Sequence, residues 1–118
     1  MNRRLKVALL AAGLLAGLAA LAGCSWFSPP LSGKAAQGQA LFVMHCAECH
    51  EGEHPDLHKQ PPKLNSLFQS KTLPSGAPAT DAQVRKTIIE GRYTMPAFDQ
   101  RLSDQEVDDL LKYLHTLK

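Results

Sequence analysis

The sequence predicts a small all-α domain, and three observations support this fold class. Apolar residues recur with the helical period in three segments, at residues 34–45, 80–91 and 103–118. The last two segments begin with residue pairs that are typical of helix N-termini. No stretch alternates apolar and polar residues for long enough to indicate a strand, so the sequence predicts helices joined by long loops.

The first predicted helix spans residues 34–45. Gly38, Leu41, Phe42 and His45 stand at i, i+3, i+4 and i+7, so they share one face, which we expect to turn inward. This helix runs directly into a cysteine motif.

Two cysteines three residues apart, with a histidine directly after the second, form the sequence Cys46-Ala47-Glu48-Cys49-His50. The pattern is typical of covalent haem attachment, because each thiol can add to one vinyl group of the porphyrin while the histidine lies beneath the iron. The motif therefore predicts one covalent haem c held by Cys46 and Cys49, with His50 as the proximal iron ligand.

Two other interpretations of the cysteines are weaker. A zinc site built from Cys46, Cys49, His54 and His58 would use two histidines four residues apart. The stretch between Cys49 and His54 is much shorter than a zinc-finger loop, however, and His50 would have no role. A thioredoxin-like redox pair requires a βαβ context, which this Pro- and Ala-rich chain lacks.

The middle of the chain predicts two loops around one brief helical turn. Residues 51–62 form a polar loop that Pro61-Pro62 closes, and residues 71–79 form a second loop. Residues 65–69 are expected to make the helical turn. Three apolar residues in and beside this turn are available to cover a haem: Leu64, Leu67 and Phe68.

Each of the two C-terminal helices begins with a capping pattern. Thr80 is followed three residues later by Gln83, and Ser103 by Glu106. We expect the first of these helices to stop at Gly91 and the second to run to the last residue. The apolar residues expected to face inward are Val84, Ile88 and Ile89 in the first helix, and Val107, Leu110, Leu111, Leu114 and Leu117 in the second.

The N-terminal segment, residues 1–23, has the pattern of an export signal. Arg3, Arg4 and Lys6 make a basic start, a run of Ala, Leu and Gly follows, and small residues precede Cys24. The apolar run is shorter than the roughly 20 residues that span a bilayer. Removing the segment takes away three basic residues and lowers the formal net charge from +2 to −1, so the sequence does not support nucleic-acid binding.

The residues around Cys24 resemble a bacterial lipoprotein box, in which the cysteine becomes the lipidated first residue of the mature chain. The resemblance implies that Cys24 is a lipid anchor, that residues 24–33 are the anchor and linker, and that residues 34–118 are the domain. Ser25 rather than Asp follows the cysteine, which in a two-membrane bacterium implies the outer membrane, facing the periplasm. All three cysteines then have roles, and none is left for a disulfide.

The domain resembles a class I cytochrome c over nearly its whole length. In that family a glycine and an aromatic residue precede the first haem cysteine by eight and four positions, where this chain has Gly38 and Phe42. The resemblance implies that these residues pack on Leu110 and Tyr113 where the first and last helices cross. It also implies that the proline carbonyl in Pro62-Lys63-Leu64 accepts the Nδ1 hydrogen of the proximal histidine.

Residues 91–98 are similar to the distal loop of the same family, in which a methionine sulfur is the sixth iron ligand. The resemblance assigns that role to Met95. Pro96 keeps the residues before it out of helical geometry, and a thioether favours ferrous iron and raises the reduction potential. Met44 is expected only to fill a gap in the packing. The remaining histidines are expected in solvent or near the helix surface: His45, His54, His58 and His115.

These features predict a single-electron carrier with one haem c and His/Met ligation, anchored by lipid at the outer face of a bacterial membrane. Six-coordinate iron leaves no open site, so we expect no enzymatic activity. The expected partners are redox proteins of the membrane or periplasm, and the expected state is a monomer. Two alternatives remain open: a haem subunit docked permanently in a respiratory oxidase or dehydrogenase complex, and a haem peroxidase or gas sensor whose Met95 is displaced.

Overall fold

The computed structural model describes residues 30–118. This part of the chain forms four α-helices and one 3₁₀ helix, separated by loops. They are α1 (Gly33–His45), α2 (Ala47–Glu51), the 3₁₀ helix Leu67–Gln69, α3 (Asp81–Glu90) and α4 (Asp104–Leu114). The predicted export signal, the anchor Cys24 and most of the predicted linker lie outside the described residues.

Helix α1 packs chiefly against α4. The two helices meet at Gly38, where an added Cβ would lie 2.6 Å from the Asp109 carbonyl carbon and 2.9 Å from the Tyr113 Cβ. Beside this contact the rings of Phe42 and Tyr113 lie 5.2 Å apart between centroids, and Leu110 is buried. The predicted crossing is therefore confirmed: glycine lets the two backbones touch, and the aromatic pair fills the space next to them.

The contact between α1 and α4 continues into one apolar core that also includes α3 and the loop after it. Val84 and Ile88 are the buried residues of α3, as the helical period predicts. Phe98 is buried too, and its N–H donates to the Ile88 carbonyl at 3.1 Å. The core therefore anchors both ends of the short segment between α3 and Phe98.

Helix α4 begins with the predicted capping box. The Ser103 N–H donates to the Glu106 carboxylate at 2.8 Å, and the Ser103 hydroxyl accepts from the Glu106 N–H at 3.3 Å. Hydrogen bonds from the Ser103 backbone and hydroxyl lower the pKa of Glu106. The stabilisation is therefore present above the ordinary pKa of a glutamate and is lost as the pH falls through the lowered value. At α3, Thr80 Oγ1 accepts from the Gln83 N–H at 3.3 Å.

Helix α4 ends at Leu114, so the prediction that it runs to the last residue was wrong. The Thr116 hydroxyl and the Thr116 N–H both donate to the Tyr113 carbonyl, at 2.7 and 2.8 Å. These bonds compete with the helical pattern and close a tighter turn. Leu117 still packs against the core. The apolar period thus extends beyond the helix itself.

Within residues 30–118 the extended pairings are two isolated bridges, Thr72 with Pro78 and Arg92 with Met95, and no strand forms. No helix in this described stretch is long and apolar enough to cross a membrane. The predicted all-α fold class is confirmed.

Candidate haem site

The cysteine motif forms a compact turn between α1 and α2. Cys46 caps α1, and its N–H donates to the Phe42 carbonyl at 2.8 Å. The Cys46 carbonyl accepts from the N–H groups of Cys49 at 3.1 Å and His50 at 2.9 Å. Because residues three and four apart are neighbours on a helical turn, this geometry brings both cysteines and the histidine to one side of it.

His50 is held by the segment that the family resemblance implies. Its Nδ1 lies 2.7 Å from the Pro62 carbonyl oxygen. A carbonyl can only accept, so Nδ1 carries the hydrogen and Nε2 of the neutral ring keeps its lone pair. This tautomer is the one that a proximal iron ligand needs, and the carbonyl strengthens the ring as a donor.

Cys46 is half-buried and Cys49 is exposed. Burial, and to a lesser degree the charge of Cys49, raises the pKa of the Cys46 thiol to about 11. In the described part of the chain, no group of three or more His, Cys, Asp or Glu side chains is arranged to hold a metal ion. The zinc alternative thus gains no support.

His54 differs from the prediction that it is a solvated loop residue. It is half-buried, and its Nε2 donates to the Glu48 carbonyl at 2.8 Å. Its N–H donates to the Gln60 side-chain oxygen at 3.1 Å, while the Gln60 amide donates to the His54 and Leu57 carbonyls. His54 is therefore part of a hydrogen-bonded loop that follows α2.

Met95 lies in a tight turn directly after α3. Arg92 and Met95 exchange two backbone hydrogen bonds, of 3.0 and 2.9 Å. Gly91 has a φ of 72°, and an added Cβ there would lie 2.7 Å from both the Met95 carbonyl oxygen and the Ala97 nitrogen. Gly91 therefore does more than end α3, because only glycine lets the turn fold back against the helix. Met95 is half-buried and packs against the core.

Tyr93, at the tip of this turn, is a feature that the sequence pattern does not reveal. It is 80% exposed and has a φ of 51°, which is unusual for a residue other than glycine. Lys59 Nζ and the Arg92 guanidinium lie 5.2 and 4.9 Å from the centre of its ring. A hydrogen bond from Arg92, then the charges of Arg92 and Lys59, lower the pKa of Tyr93. These contacts join the loop after α2 to the turn that carries Met95.

The 3₁₀ helix, together with Leu64 just before it, supplies an apolar surface. Leu64, Leu67 and Phe68 are half-buried and pack against the core. The ring of Phe68 stacks on His115 at 3.8 Å between centroids, and His115 Nε2 lies 2.7 Å from an Asp81 carboxylate oxygen. His115 is exposed, as predicted, but it also ties the end of α4 to the 3₁₀ helix and to the start of α3.

The residues present fit a covalent haem. The structure supplies two thiols on one side of a turn, an imidazole whose Nδ1 is already bonded, and a half-buried thioether. It also supplies half-buried apolar side chains from the 3₁₀ helix region. This set matches the covalent, axial and apolar contacts that a c-type haem requires.

Two other features lie apart from these residues. Met44 is 66% exposed, so the prediction that it fills a gap in the packing was wrong. Helix α1 turns Leu41 and Phe42 inward, and Met44 lies two residues beyond Phe42, on the other side of the helix.

An open polar groove of about 280 Å³ runs along α3 past Lys86 to Arg92, and none of the predicted haem-binding residues lines it.

Comparison with known proteins agrees with this site. The sequence profile of the family described as "Cytochrome C oxidase, cbb3-type, subunit III" matches residues 33–114. Cytochrome c6 from Gloeothece citriformis is 28% identical over 94 residues, covering 80% of this chain and 81% of the relative. Cytochrome c6 from Diacronema lutheri is 27% identical over 82 residues, covering 70% of this chain and 94% of the relative.

A further relative is the cytochrome bc1 complex cytochrome c subunit of Corynebacterium diphtheriae. It is 29% identical over 84 residues, which are 70% of this chain but 27% of the relative. The family match itself runs from the first residue of α1 to the last residue of α4 and includes the haem-attachment motif. The chain therefore belongs to this cytochrome c family and is a class I c-type cytochrome, which binds haem c covalently and transfers electrons rather than acting as an enzyme.

Proposed function

We propose that this protein is a one-electron carrier whose haem iron is ligated by His50 and Met95 and whose lipid anchor at Cys24 holds it at the outer face of a bacterial membrane. The 2.7 Å contact between His50 Nδ1 and the Pro62 carbonyl oxygen carries the ligand assignment, because it leaves Nε2 free for iron. The half-buried position of Met95 in its tight turn supports the assignment of the sixth ligand.

Each residue of the site has a distinct task in this proposal. When bound, haem c supplies a one-electron couple between ferric and ferrous iron. Cys46 and Cys49 hold the cofactor covalently, and the Pro62 carbonyl orients the His50 ring and strengthens its donor nitrogen. Met95 contributes a soft, neutral ligand that favours the ferrous state. The apolar side chains near the 3₁₀ helix exclude water, which favours the less charged state further.

Replacement of Met95 tests the ligand set and separates the carrier from a gas sensor. In Met95→Ala we expect loss of the weak red sulfur-to-iron absorption band and the appearance of carbon monoxide binding, because the sixth position opens. In Met95→His we expect a low-spin bis-imidazole spectrum and a lower potential, because imidazole stabilises ferric iron better than a thioether does. Absorption spectra and redox titrations measure both.

The unchanged protein should bind carbon monoxide weakly; tight binding would favour the sensor or peroxidase alternative instead. Met44→Ala is the matched control, since it makes the same replacement at an exposed methionine of α1. We expect this control to keep the red band and the potential of the unchanged protein. A red band that survives Met95→Ala would assign the sixth position to another residue.

The proposed tether is short. A linker that ends where α1 begins, residues 24–32, can span at most roughly 30–32 Å when fully extended, and the Pro-Pro pair in its sequence favours an extended chain. Confinement to this distance raises the local concentration of membrane partners to the millimolar range. The domain then needs no strong docking surface, which agrees with a net charge near zero once residues 1–23 are removed.

We expect Cys24→Ala to release a haem protein from the membrane with an unchanged spectrum and potential, while electron transfer to membrane partners slows sharply. Cell fractionation and electron-transfer rates in membranes should be measured on the same samples. Ser25→Asp is the control, because it keeps the lipidated cysteine and, by the lipoprotein sorting pattern, is expected to change only the membrane that receives it. The tether has no role in partner access if the freed domain supports full rates at native abundance.

A permanently docked haem subunit is the second candidate function. The family description names an oxidase subunit, and one relative is named as a subunit of the cytochrome bc1 complex. Both support association with a larger complex. Co-purification of this chain with a complex from mildly solubilised membranes, in fixed ratio and stable to high salt, would favour the docked subunit over the free carrier.

A further inference from the structure

The chain segment that carries the Pro62 carbonyl has little support of its own. Within residues 30–118, no backbone-to-backbone hydrogen bond holds Pro61, Pro62 or Lys63. The two prolines have no N–H to donate, and backbone hydrogen bonding resumes only at Leu64, whose carbonyl accepts from the Leu67 N–H at 3.2 Å. Something else must therefore keep the Pro62 carbonyl aimed at His50.

The Lys63 side chain provides a second link between this segment and the haem-attachment helix. Its Nζ donates to the Glu51 carbonyl at 2.7 Å and to the Gly52 carbonyl at 2.9 Å. These two carbonyls lie at the C-terminal end of α2, where carbonyl groups lack helical partners and favour a positive charge. Lys63 thus binds the C-terminal end of the same short helix that carries His50.

The covalent geometry makes this link act on the Pro62 carbonyl. The carbonyl of Pro62 belongs to the planar peptide unit that it shares with the nitrogen and Cα of Lys63. When the Lys63 side chain is fixed on α2, rotation of that plane is restrained. The segment is then held on α2 at two points: by its carbonyl to His50 Nδ1 and by its next side chain to Glu51 and Gly52.

We propose that Lys63 is a positioning residue for the proximal ligand, which keeps the Pro62 carbonyl on His50 Nδ1 and thereby lowers the reduction potential of the haem. The inference rests on the proposed role of His50. A carbonyl bonded to Nδ1–H raises the basicity of Nε2, and a stronger donor stabilises ferric iron. Loosening this bond therefore raises the potential.

The charge of Lys63 acts in the opposite direction. A positive charge near the haem disfavours the ferric state, so its removal alone lowers the potential. Lys63 is exposed, and the effect of an exposed charge is screened by salt. The sign of the shift in a neutral variant thus separates positioning from simple charge.

The test compares Lys63→Met with Lys59→Met and Lys63→Arg in the holoprotein. Lys59 lies on the same loop and is exposed, but it contacts the Tyr93 ring instead of the α2 carbonyls, so Lys59→Met removes a charge without removing the link. We expect the potential to rise in Lys63→Met at both low and high salt, and to fall or stay constant in Lys59→Met. Lys63→Arg keeps the charge and the donors and should restore the original potential.

The His50 Nδ1 hydrogen provides a second readout that does not depend on electron transfer. Its exchange with solvent, followed by NMR in the reduced protein, should be about tenfold faster in Lys63→Met, the change expected when roughly one net hydrogen bond is lost. Lys63→Arg should exchange at the original rate.

A lower potential in Lys63→Met that returns to the original value at high salt, with unchanged Nδ1 exchange, would overturn the inference and leave Lys63 only a surface charge. His50→Ala keeps the two failures apart. If the low-spin spectrum survived that change, His50 would not be the ligand and the proposed function itself would fail. If His50→Ala loses the low-spin spectrum, while Lys63→Met raises neither the reduction potential nor the exchange rate of the Nδ1 hydrogen, only the role of Lys63 is refuted.

Discussion

The double variant Cys46→Ala, Cys49→Ala is expected to lose covalent haem completely. The two thiols lie on one side of a single turn, and each can form one thioether bond to the porphyrin. On a denaturing gel, coordinate bonds to the iron break, while thioether bonds remain. Haem-dependent peroxidase staining of the gel should therefore be strong in the unchanged protein and absent in the double variant.

Two controls make this result specific to covalent attachment. Cys24→Ala removes the third cysteine of the chain, lies outside the motif and should keep full staining. Each single variant retains one thiol and should keep some covalent haem. Staining that persists in the double variant would refute thioether attachment at these positions, even if the variant remained coloured under native conditions.

Loss of the haem is also expected to lower the stability of the domain. A chain of this size buries only around 60–65% of the surface that its unfolded form exposes, so a core without its cofactor is marginal. Leu64, Leu67 and Phe68 are half-buried and are the apolar residues expected to cover the haem. Circular dichroism should accordingly show reduced helical signal and a lower melting temperature in the double variant.

Gly38→Ala is expected to destabilise the protein by about 1–3 kcal/mol, although alanine is the better helix former by about 1 kcal/mol. The added methyl group would lie 2.6 Å from the Asp109 carbonyl carbon, so α1 and α4 would have to separate. Their separation would disturb the packing of Phe42 against Tyr113 as well. Gly38→Val should cost more than Gly38→Ala, because it adds further atoms at the same contact.

Ala40→Gly is the matched control, since Ala40 is exposed on the same helix. There we expect glycine to be less stable than alanine by about 1 kcal/mol, the reverse of the order at position 38. Chemical denaturation of the haem-loaded proteins, with comparison of midpoints at equal slopes, measures both. If alanine were preferred at both positions, the close approach at Gly38 would not limit stability.

Local features of the chain could be predicted because their causes lie within a few residues. The spacing of Cys46, Cys49 and His50 is set by one helical turn, and the Ser103 cap is set by a contact across three residues. The helical period of α3 identified Val84 and Ile88 as buried. The crossing of α1 and α4 also followed from the sequence, but only through the family resemblance at Gly38 and Phe42.

Features that depend on competition between contacts were predicted less well. The apolar stripe through Leu117 suggested a longer α4, but hydrogen bonds from Thr116 to the Tyr113 carbonyl end the regular helix at Leu114. Met44 is apolar, yet the face of α1 that carries Leu41 and Phe42 takes the core and leaves Met44 exposed. Period and hydropathy describe a helix in isolation, whereas its partners decide where it ends and which residues are covered.

The sequence by itself determined the cofactor, the all-α class and the identity of the candidate ligands, because a short motif and short-range periodicity carry that information. The family resemblance implied the contact between His50 and the Pro62 carbonyl, but only the tertiary structure showed that Lys63 ties the same segment to the end of α2. Pro62 and Lys63 lie about a dozen residues beyond α2, and the loop between them and His50 could place them in many ways. The tertiary structure likewise determined the left-handed backbone conformation of Tyr93 and the close approach of Gly91 to Met95 and Ala97. Such contacts join residues distant along the chain, and their geometry exists only once the core has formed.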